Sequence, residues 1–391
     1  MAPPKIIKAL NESEVVCIYD EASNPIVPKK TLRSIGKDVL DVFLPAGYPH
    51  TVTPDYTPYQ IYDSLQAFSS TIAGLLSSRA VLQGFGVGDS TSSATAAVLL
   101  TVLQESTGRL STILFAHRHG RAIEPECKYY RFLADIVNDS AFFLDLLSPA
   151  LPTYPKILAL CGAGILRALC GISGGAAKAS LSAHFAKNGN LAELNAKDGS
   201  QETVISLLGM LVGSLFVHIV HGKIAVVVSM IILVGVHLWT NYQAVRSVQM
   251  RTLNRQRLTI LLEEASGPRG AILRPDQVAA KERILTWVNP RITFATTFPR
   301  LREISHFKNQ KYRNRGYVIV QQPTGQKIFL KQGTPTVAAL EAWVEAHTGS
   351  HWPADSVFWK SLKAAGWDLQ TNAMETGPSV RIVMGDENKL A

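Results

Sequence analysis

Hydrophobic positions along this chain gather into long runs, and polar residues collect at their edges. Two runs stand out, residues 204–220 and 224–239, each about 17 residues long, dominated by apolar side chains and free of Asp, Glu, Lys and Arg. As a helix each reaches about 25 Å, near the short end of what crosses a bilayer. Only His221, Gly222 and Lys223 separate them, so the pattern predicts antiparallel neighbouring helices joined by a tight turn. Four further helices are predicted upstream. The first covers about 64–83, with Asp63 or Ser64 as its N-cap. It carries small residues four apart, Ser70-Gly74-Ser78 and Ala73-Ser77, a spacing that lets helix backbones approach closely in a membrane. The others are 90–103, then 129–147 ended by Pro149 and Pro152, then 157–172 interrupted by Arg167.

The flanks read differently. Residues 1–45 are an extended arm with one strand in 14–20 (EVVCIYD) and a turn at Asn24-Pro25. A loop holding Pro45, Pro49, Pro54 and Pro58 leads into the first helix. From 290 onward, 316–321 and 327–331 are strands around the hairpin signal Pro323-Thr324-Gly325. Helices follow at 336–347, with Val337, Leu340 and Val344 on one face, and at 353–365, with Val357, Phe358 and Leu362 inward. A strand at 379–384 closes the chain, and the strand near Val15 is expected to join this sheet. The fold class is therefore mainly α: a multi-helix membrane bundle with a small C-terminal α+β domain. Its divisions are an arm (1–45), a helical core (46–260), a basic linker (261–289) and the C-terminal domain (290–391).

Composition supports burial in lipid. Hydrophobic residues make up 47% of the 391 and charged residues 18%, with mean hydropathy +0.11. That charged share is below the roughly 25% of soluble domains. The net charge of +9 is concentrated in 241–330, which holds 16 basic and 5 acidic residues. Such a block suits nucleic acid or anionic lipid. Its place directly after the most apolar run favours the positive-inside reading, with 246–257 on the cytoplasmic or equivalent side and no nucleic-acid partner. The start of the chain lacks a hydrophobic stretch of signal-peptide length, and Glu12 and Glu14 argue against a transit peptide. Cys17, Cys127, Cys161 and Cys170 have no CxxC spacing and read as small buried thiols rather than a disulfide or zinc framework.

Gly84-x-Gly86-x-Gly88 follows a helix rather than a strand and lacks dinucleotide spacing, so it reads as a tight turn with Asp89 capping the next helix. Gly174-Gly175 with Lys178 fails the phosphate-loop pattern. The pairs His117/His119 and His218/His221 lack a third ligand. No catalytic constellation, metal or cofactor is expected. The informative polar residues are those in apolar surroundings. Asp55, Tyr56, Asp63 and Gln66 form a polar entry to the first helix. Asp135 and Asp139 lie at i and i+4 and repel unless a cation or proton intervenes, with Arg79 or Arg167 as the candidate cation. Lys197, Asp198, Gln201 and Glu202 cluster at the mouth of a span, where Asp198-Gly199 is a turn dipeptide and Ser200 a cap. Asn241 and Arg246 close the second span.

Three stretches carry a family likeness: YPHTVTPDYTPYQIYDSLQAFSSTIAGLLSSRAVLQGFGVGD (48–89), NAKDGSQET (195–203) and NYQAVR (241–246). Together they resemble the root UVB sensitive family, strongly over roughly 40–260 and weakly beyond. The resemblance implies association with ultraviolet-B responses, early seedling development and vitamin B6 homeostasis in plant members, and a homo- or hetero-oligomer with a family paralogue. It brings no defined molecular activity. The residues therefore support a membrane transporter or scaffold first. An assembly module docking through 290–391 comes second. An enzyme handling pyridoxal phosphate comes last, because no lysine stands in a strand-loop context beside a phosphate-binding glycine loop.

Overall fold

A computed structural model describes residues 7–11, 14–19, 25–26, 40–84, 94–187, 189–268, 270–285, 291–300, 303, 307, 309–378 and 380–383. Six long helices dominate these residues: α1 (Tyr56–Gly84), α2 (Ala94–Ile123), α3 (Cys127–Leu147), α4 (Thr153–Phe185), α5 (Leu191–Ile219) and α6 (Lys223–Ser247). Hydrogen bonds mark the two ends of the bundle. At the near end Gln201 Nε2 donates to the Phe43 carbonyl (2.6 Å) and the Gln249 amide donates to Asp55 Oδ2 (2.6 Å). At the far end Lys156 Nζ donates to the Gly84 carbonyl (3.1 Å). Helices α1, α3 and α5 run from near to far, and α2, α4 and α6 return.

Most helices are longer than their apolar patterns predict. α1 starts at Tyr56 because Pro58 falls in the first turn, where a missing amide hydrogen is harmless. α2 continues past 103 through a polar stretch whose hydroxyls turn inward on the helix: Thr107, Ser111 and Thr112 donate to carbonyls three or four residues back. The same device carries α5 through the polar knot 195–203, where Ser200 and Thr203 donate to the carbonyls of Ala196 and Gly199. The expected turn at Asp198-Gly199 and cap at Ser200 are thus replaced by unbroken helix, anchored by buried Leu194. Gly86, Gly88 and Asp89, with the expected turn and cap there, lie outside the described residues.

α1 is the central helix, packing on α3, α5 and α6, while α4 packs on α3 and α2. The turn between α5 and α6 is as short as expected, yet α5 and α6 pack mainly on α1 rather than along each other. The reason lies on α5. A Cβ on Gly209 would sit 2.8 Å from Thr71 Cβ, and one on Gly213 would sit 2.6 Å from Leu75 Cδ1. Gly209 and Gly213 form a GxxxG pair that admits α1. The predicted small stripe on α1 contributes buried Ala73 and Ser77, whereas Gly74 leaves ordinary contact room beside Phe142. Helices α4, α5 and α6 are long and apolar enough to cross a membrane. Their outward side chains, including Leu211, Leu215, Ile224 and Ile232, are exposed, as a lipid-facing surface requires.

The C-terminal unit is built conventionally. Strand β6 (Tyr317–Gln322) pairs antiparallel with β7 (Gly325–Lys331), and β5 (Ile292–Phe294) and β9 (Arg381–Ile382) add to β7 in parallel. Strand β4 (Thr252–Asn254) pairs in parallel with β8 (Asp368–Ala373). Helices α7 (Arg255–Ala265), α8 (Pro275–Lys281), α9 (Val337–Thr348) and α10 (Val357–Ala364) complete it. In α10 the inward residues are Trp359 and Leu362, while Val357 at the helix start faces out. The stretch 261–289, expected to be a basic linker, holds four basic and four acidic residues and contains Leu261, Leu262 and Val278, which join Leu258, Val318, Phe329 and Leu340 in one core. The strand near Val15 does not reach that sheet. It is β2 (Glu14–Tyr19) in a separate sheet with β1 (Ile7–Asn11) and β3 (Pro25–Ile26).

Bundle and C-terminal unit meet at a buried ion group. Lys128 Nζ lies 2.5 Å from Glu282 Oε2, and Arg257 Nε lies 2.7 Å from Glu282 Oε1, with all three side chains at most 5% exposed. Burial works to raise the Glu282 carboxyl, but Arg257 and Lys128 outweigh it and hold the group below its ordinary range.

Candidate functional site

Helical spacing puts three polar sets on facing sides of α1, α3 and α6: Asp63 with Gln66, Arg131 with Asp135 and Asp139, and His237 with Asn241. All seven side chains are buried, and they form one network. Arg131 Nη2 donates to Asp63 Oδ1 (2.7 Å) and Gln66 Oε1 (3.0 Å), and Nη1 to both oxygens of Asp135 (3.1 Å each). Gln66 Nε2 donates to Asp135 Oδ2 (2.7 Å), and Asn241 Nδ2 donates to the same oxygen (2.5 Å). His237 Nδ1 lies 2.8 Å from each Asp139 oxygen, and its Nε2 lies 2.7 Å from Gln66 Nε2.

The protons of this network follow from its wiring. Arg131 is donor-only, so Gln66 must turn its oxygen to it and its amide NH2 to His237. His237 Nε2 is then an acceptor, and Nδ1 carries the hydrogen that points at Asp139. With His237 neutral, three carboxylates face a single guanidinium within the network; Lys178, which acts on Asp63 from outside it, is already shared between Asp198 and Glu202. An uncompensated charge among apolar helices is costly, so the network requires further protons or a cation. A second hydrogen on His237 Nε2 would meet the Gln66 amide group at 2.7 Å, nearer than Asp135 Oδ2 at 3.6 Å. The open place for a proton is therefore a carboxyl, and Asp139 touches no guanidinium within the network.

Of the residues singled out in sequence, Asp63, Gln66, Asp135, Asp139 and Asn241 meet in this network. The expected cations do not. Arg79 points to the far end and donates to the carbonyls of Val217 and Val220 (3.1 and 3.0 Å), the open end of α5. Arg167 pairs with Asp145, which also accepts from Ser77 (2.6 Å). The neutralising partner is Arg131, and the bridging group is His237. Neither was singled out in sequence, although Arg131 stands four residues before Asp135 and His237 is the polar exception in an apolar run.

A second group lies at the near end. Lys178 Nζ reaches Asp198 and Glu202 (2.8 Å each), Gln60 Nε2 donates to Asp198 (2.5 Å), and Gln201 Nε2 lies 3.4 Å from the Tyr56 hydroxyl. Lys197 Nζ donates to the Asp41 carbonyl (2.5 Å). Beside them is a cavity of about 570 Å³ lined by Tyr48, Tyr56, Gln60, Ile61, Phe68 and Gln201. Asp55 is held apart, 2.9 Å from His184 Nε2. Burial works to raise its carboxyl, but the His184 hydrogen bond leads the interactions that hold it below its ordinary value. Arg246 is exposed and stands over the Tyr242 ring at 5.8 Å. Of the arginines in 246–257, Arg257 is buried and Arg255 pairs with Glu126 at 3.3 Å, leaving Arg246 and Arg251 outward. Cys127 is buried, whereas Cys161 and Cys170 are half-buried.

Long apolar helices closed around a buried, acid-rich network define a mainly α protein, and among the described residues three of its helices are long and apolar enough to cross a membrane. The chain belongs to the root UVB sensitive family: residues 29–266 match the family model described as the vitamin B6 photo-protection and homoeostasis domain. It is 35% identical to RUS family member 1 of Dictyostelium discoideum over 285 residues, 71% of this chain and 54% of that one. It is 36% identical to Protein root UVB sensitive 3 of Arabidopsis thaliana over 252 residues, 64% of this chain and 57% of that one. Protein root UVB sensitive 2, chloroplastic, of the same plant is 30% identical over 241 residues, 60% of this chain and 53% of that one. The chain thus spans a little over half the length of these relatives. No solved structure matches it.

Proposed function

We propose that this chain is a multi-pass integral membrane protein of the transporter type, whose α1–α3–α6 interface binds and releases a proton at Asp139. The observation that carries this reading is the surplus of carboxylates over cations in the buried network: Asp63, Asp135 and Asp139 face Arg131, with His237 wired as a neutral bridge. Ionisable groups inside membrane bundles mark ion and proton pathways, and a network whose neutrality depends on an added proton responds to a pH gradient. The cavity beside Gln60 and Gln201 supplies a place for a solute on the near side. The family description makes a vitamin B6 compound the first solute to offer. The proposal assigns the chain no covalent chemistry. It places the near end, with Arg246 and Arg251, on the cytoplasmic or equivalent side.

The test is purified protein in liposomes containing a pH dye, with a vitamin B6 compound outside and an imposed proton gradient. Solute-dependent proton movement, lost in Asp139→Asn and retained in Arg246→Gln, is the expected result. Protein that leaves the membrane on alkaline carbonate extraction, or liposomes in which Asp139→Asn moves protons like the parent, would overturn the reading.

A second reading is an assembly module that pairs with a copy or a paralogue through the C-terminal unit. It is favoured by large apolar side chains left exposed there, Phe298, Val357 and Val383. Removing the unit from 249 onward, which keeps the α7 leucines with their own core, should then abolish recovery of the partner and leave membrane insertion intact.

A further inference from the structure

The C-terminal unit contains a cleft of about 830 Å³ between β5, the β6–β7 hairpin and the segment after β8. We infer that this cleft binds a small phosphate-bearing molecule, with Arg300 as the principal anchor. Three cationic side chains line it, Arg255, Arg300 and Lys327. Its two carboxylates are already engaged. Glu303 accepts from the Arg300 amide (2.8 Å) and Gln322 Nε2 (2.6 Å) and lies 3.5 Å from Lys327 Nζ. Glu375 is held by both terminal nitrogens of Arg381 (2.8 and 2.7 Å) and by Asn372 (2.9 Å). Arg255 shares its charge with Glu126. The Arg300 guanidinium, in contrast, has no carboxylate within ion-pair distance among the described residues, and Arg300 is an exposed residue of the cleft lining.

The rest of the wall mixes hydroxyl donors with apolar side chains such as Phe294, Val320 and Met374. Thr296, Thr297, Thr324 and Thr376 line the cleft, and none of their hydroxyls bonds to protein among the described residues. Gly377 closes one side tightly, since a Cβ there would sit 2.7 Å from Thr296 Cγ2. A planar guanidinium beside a lysine and several hydroxyls suits a dianion with three equivalent oxygens better than a single carboxylate. The volume falls within the roughly 300–1,000 Å³ of small-molecule sites, so the anion would come attached to a larger body. Two sources share that chemistry, a soluble phosphomonoester and a phospholipid headgroup. The inference stands apart from the proton network, since no residue is common to the two.

The test is calorimetric titration of the full chain, in a non-ionic detergent without phosphate, with glycerol 3-phosphate, inorganic phosphate and short-chain phosphatidic acid. Glycerol 3-phosphate is expected to bind more tightly than inorganic phosphate. Arg300→Gln is expected to weaken binding about tenfold, the loss of one charged hydrogen-bonding group. Arg300→Lys should recover part of this and Thr296→Val should weaken binding less. The exposed position of Arg300 leaves the melting temperature of these variants at the parent value. Binding of phosphatidic acid alone, still weakened by Arg300→Gln, supports the site and assigns the headgroup as its source. If none of the three ligands binds, or if Arg300→Gln binds them like the parent, the inference is overturned.

Discussion

The helical bundle and the C-terminal unit solve the burial problem in opposite ways. The C-terminal unit has one continuous apolar core running from Leu253 through Phe329 to Trp359 and Ile382. In the bundle, apolar contacts fall into separate clusters, and the space between α1, α3 and α6 is filled by Asp63, Gln66, Arg131, Asp135, Asp139, His237 and Asn241. Its large apolar side chains face outward along α4, α5 and α6. A sheet-based unit in water is held by the hydrophobic effect. A bundle placed in lipid, as proposed above, would gain little from it, because the surroundings are as apolar as the interior, and would rely on close backbone packing and interior hydrogen bonds. The polar core and the GxxxG approach of α5 to α1 fit that proposal.

The comparison breaks most readily at Arg131. Arg131→Ala leaves Asp63 and Asp135 buried and unpaired, and the bundle should lose about 3–5 kcal/mol of stability. Thermal unfolding in detergent, followed separately for the two units, should show the C-terminal transition unmoved. Next is Leu258→Ala, on a helix inside the family match whose apolar face serves the other unit. A loss of about 2–5 kcal/mol should appear in the C-terminal transition and not in the bundle. Gly213→Val comes third, since its side chain would enter the space of Leu75 and Ile72. Overpacking of about 1–3 kcal/mol should appear as a lowered bundle melting point.

The smallest effect concerns the joint between the units. The Glu282 carboxyl is held below its unfolded value, so its contribution is full above that value and is lost as pH falls through the lowered one. Hydrogen exchange around α8 should therefore quicken at acid pH in the parent, with Glu282→Gln exchanging quickly already at neutral pH.

The contrast also explains what could be read from sequence. The C-terminal strands were legible as short apolar runs around a hairpin signal, as in Tyr317–Gln322, buried through its first four residues, and the helix Val337–Thr348 from the spacing of Leu340 and Val344. The two apolar helices α5 and α6 and the short turn between them were legible from hydropathy alone; their packing on α1 rather than on each other was not. The lengths of α2, α4 and α5 were not, since Thr107 and Ser111, Ser173 and Ser180, and Ser200 and Thr203 hide their polarity in bonds to their own helix. The site was half legible. Acids in an apolar run drew notice, but their partners depend on which helices meet, and periodicity does not state that. Arg131 and His237 therefore drew none. Arg79 looked like the missing cation, yet it serves the open carbonyls of α5.

The account rests on Arg131 joining α1 to α3 through Asp63, and a double-mutant cycle in lipid bicelles tests that joint most directly. The variants are Asp63→Asn, Arg131→Gln and the pair, each unfolded under the same conditions. The two single losses should fail to add, with a coupling of about 1.5–3 kcal/mol, the upper part of the range for residues in one buried network. Losses that add to within about 0.5 kcal/mol, as for distant independent sites, would contradict it.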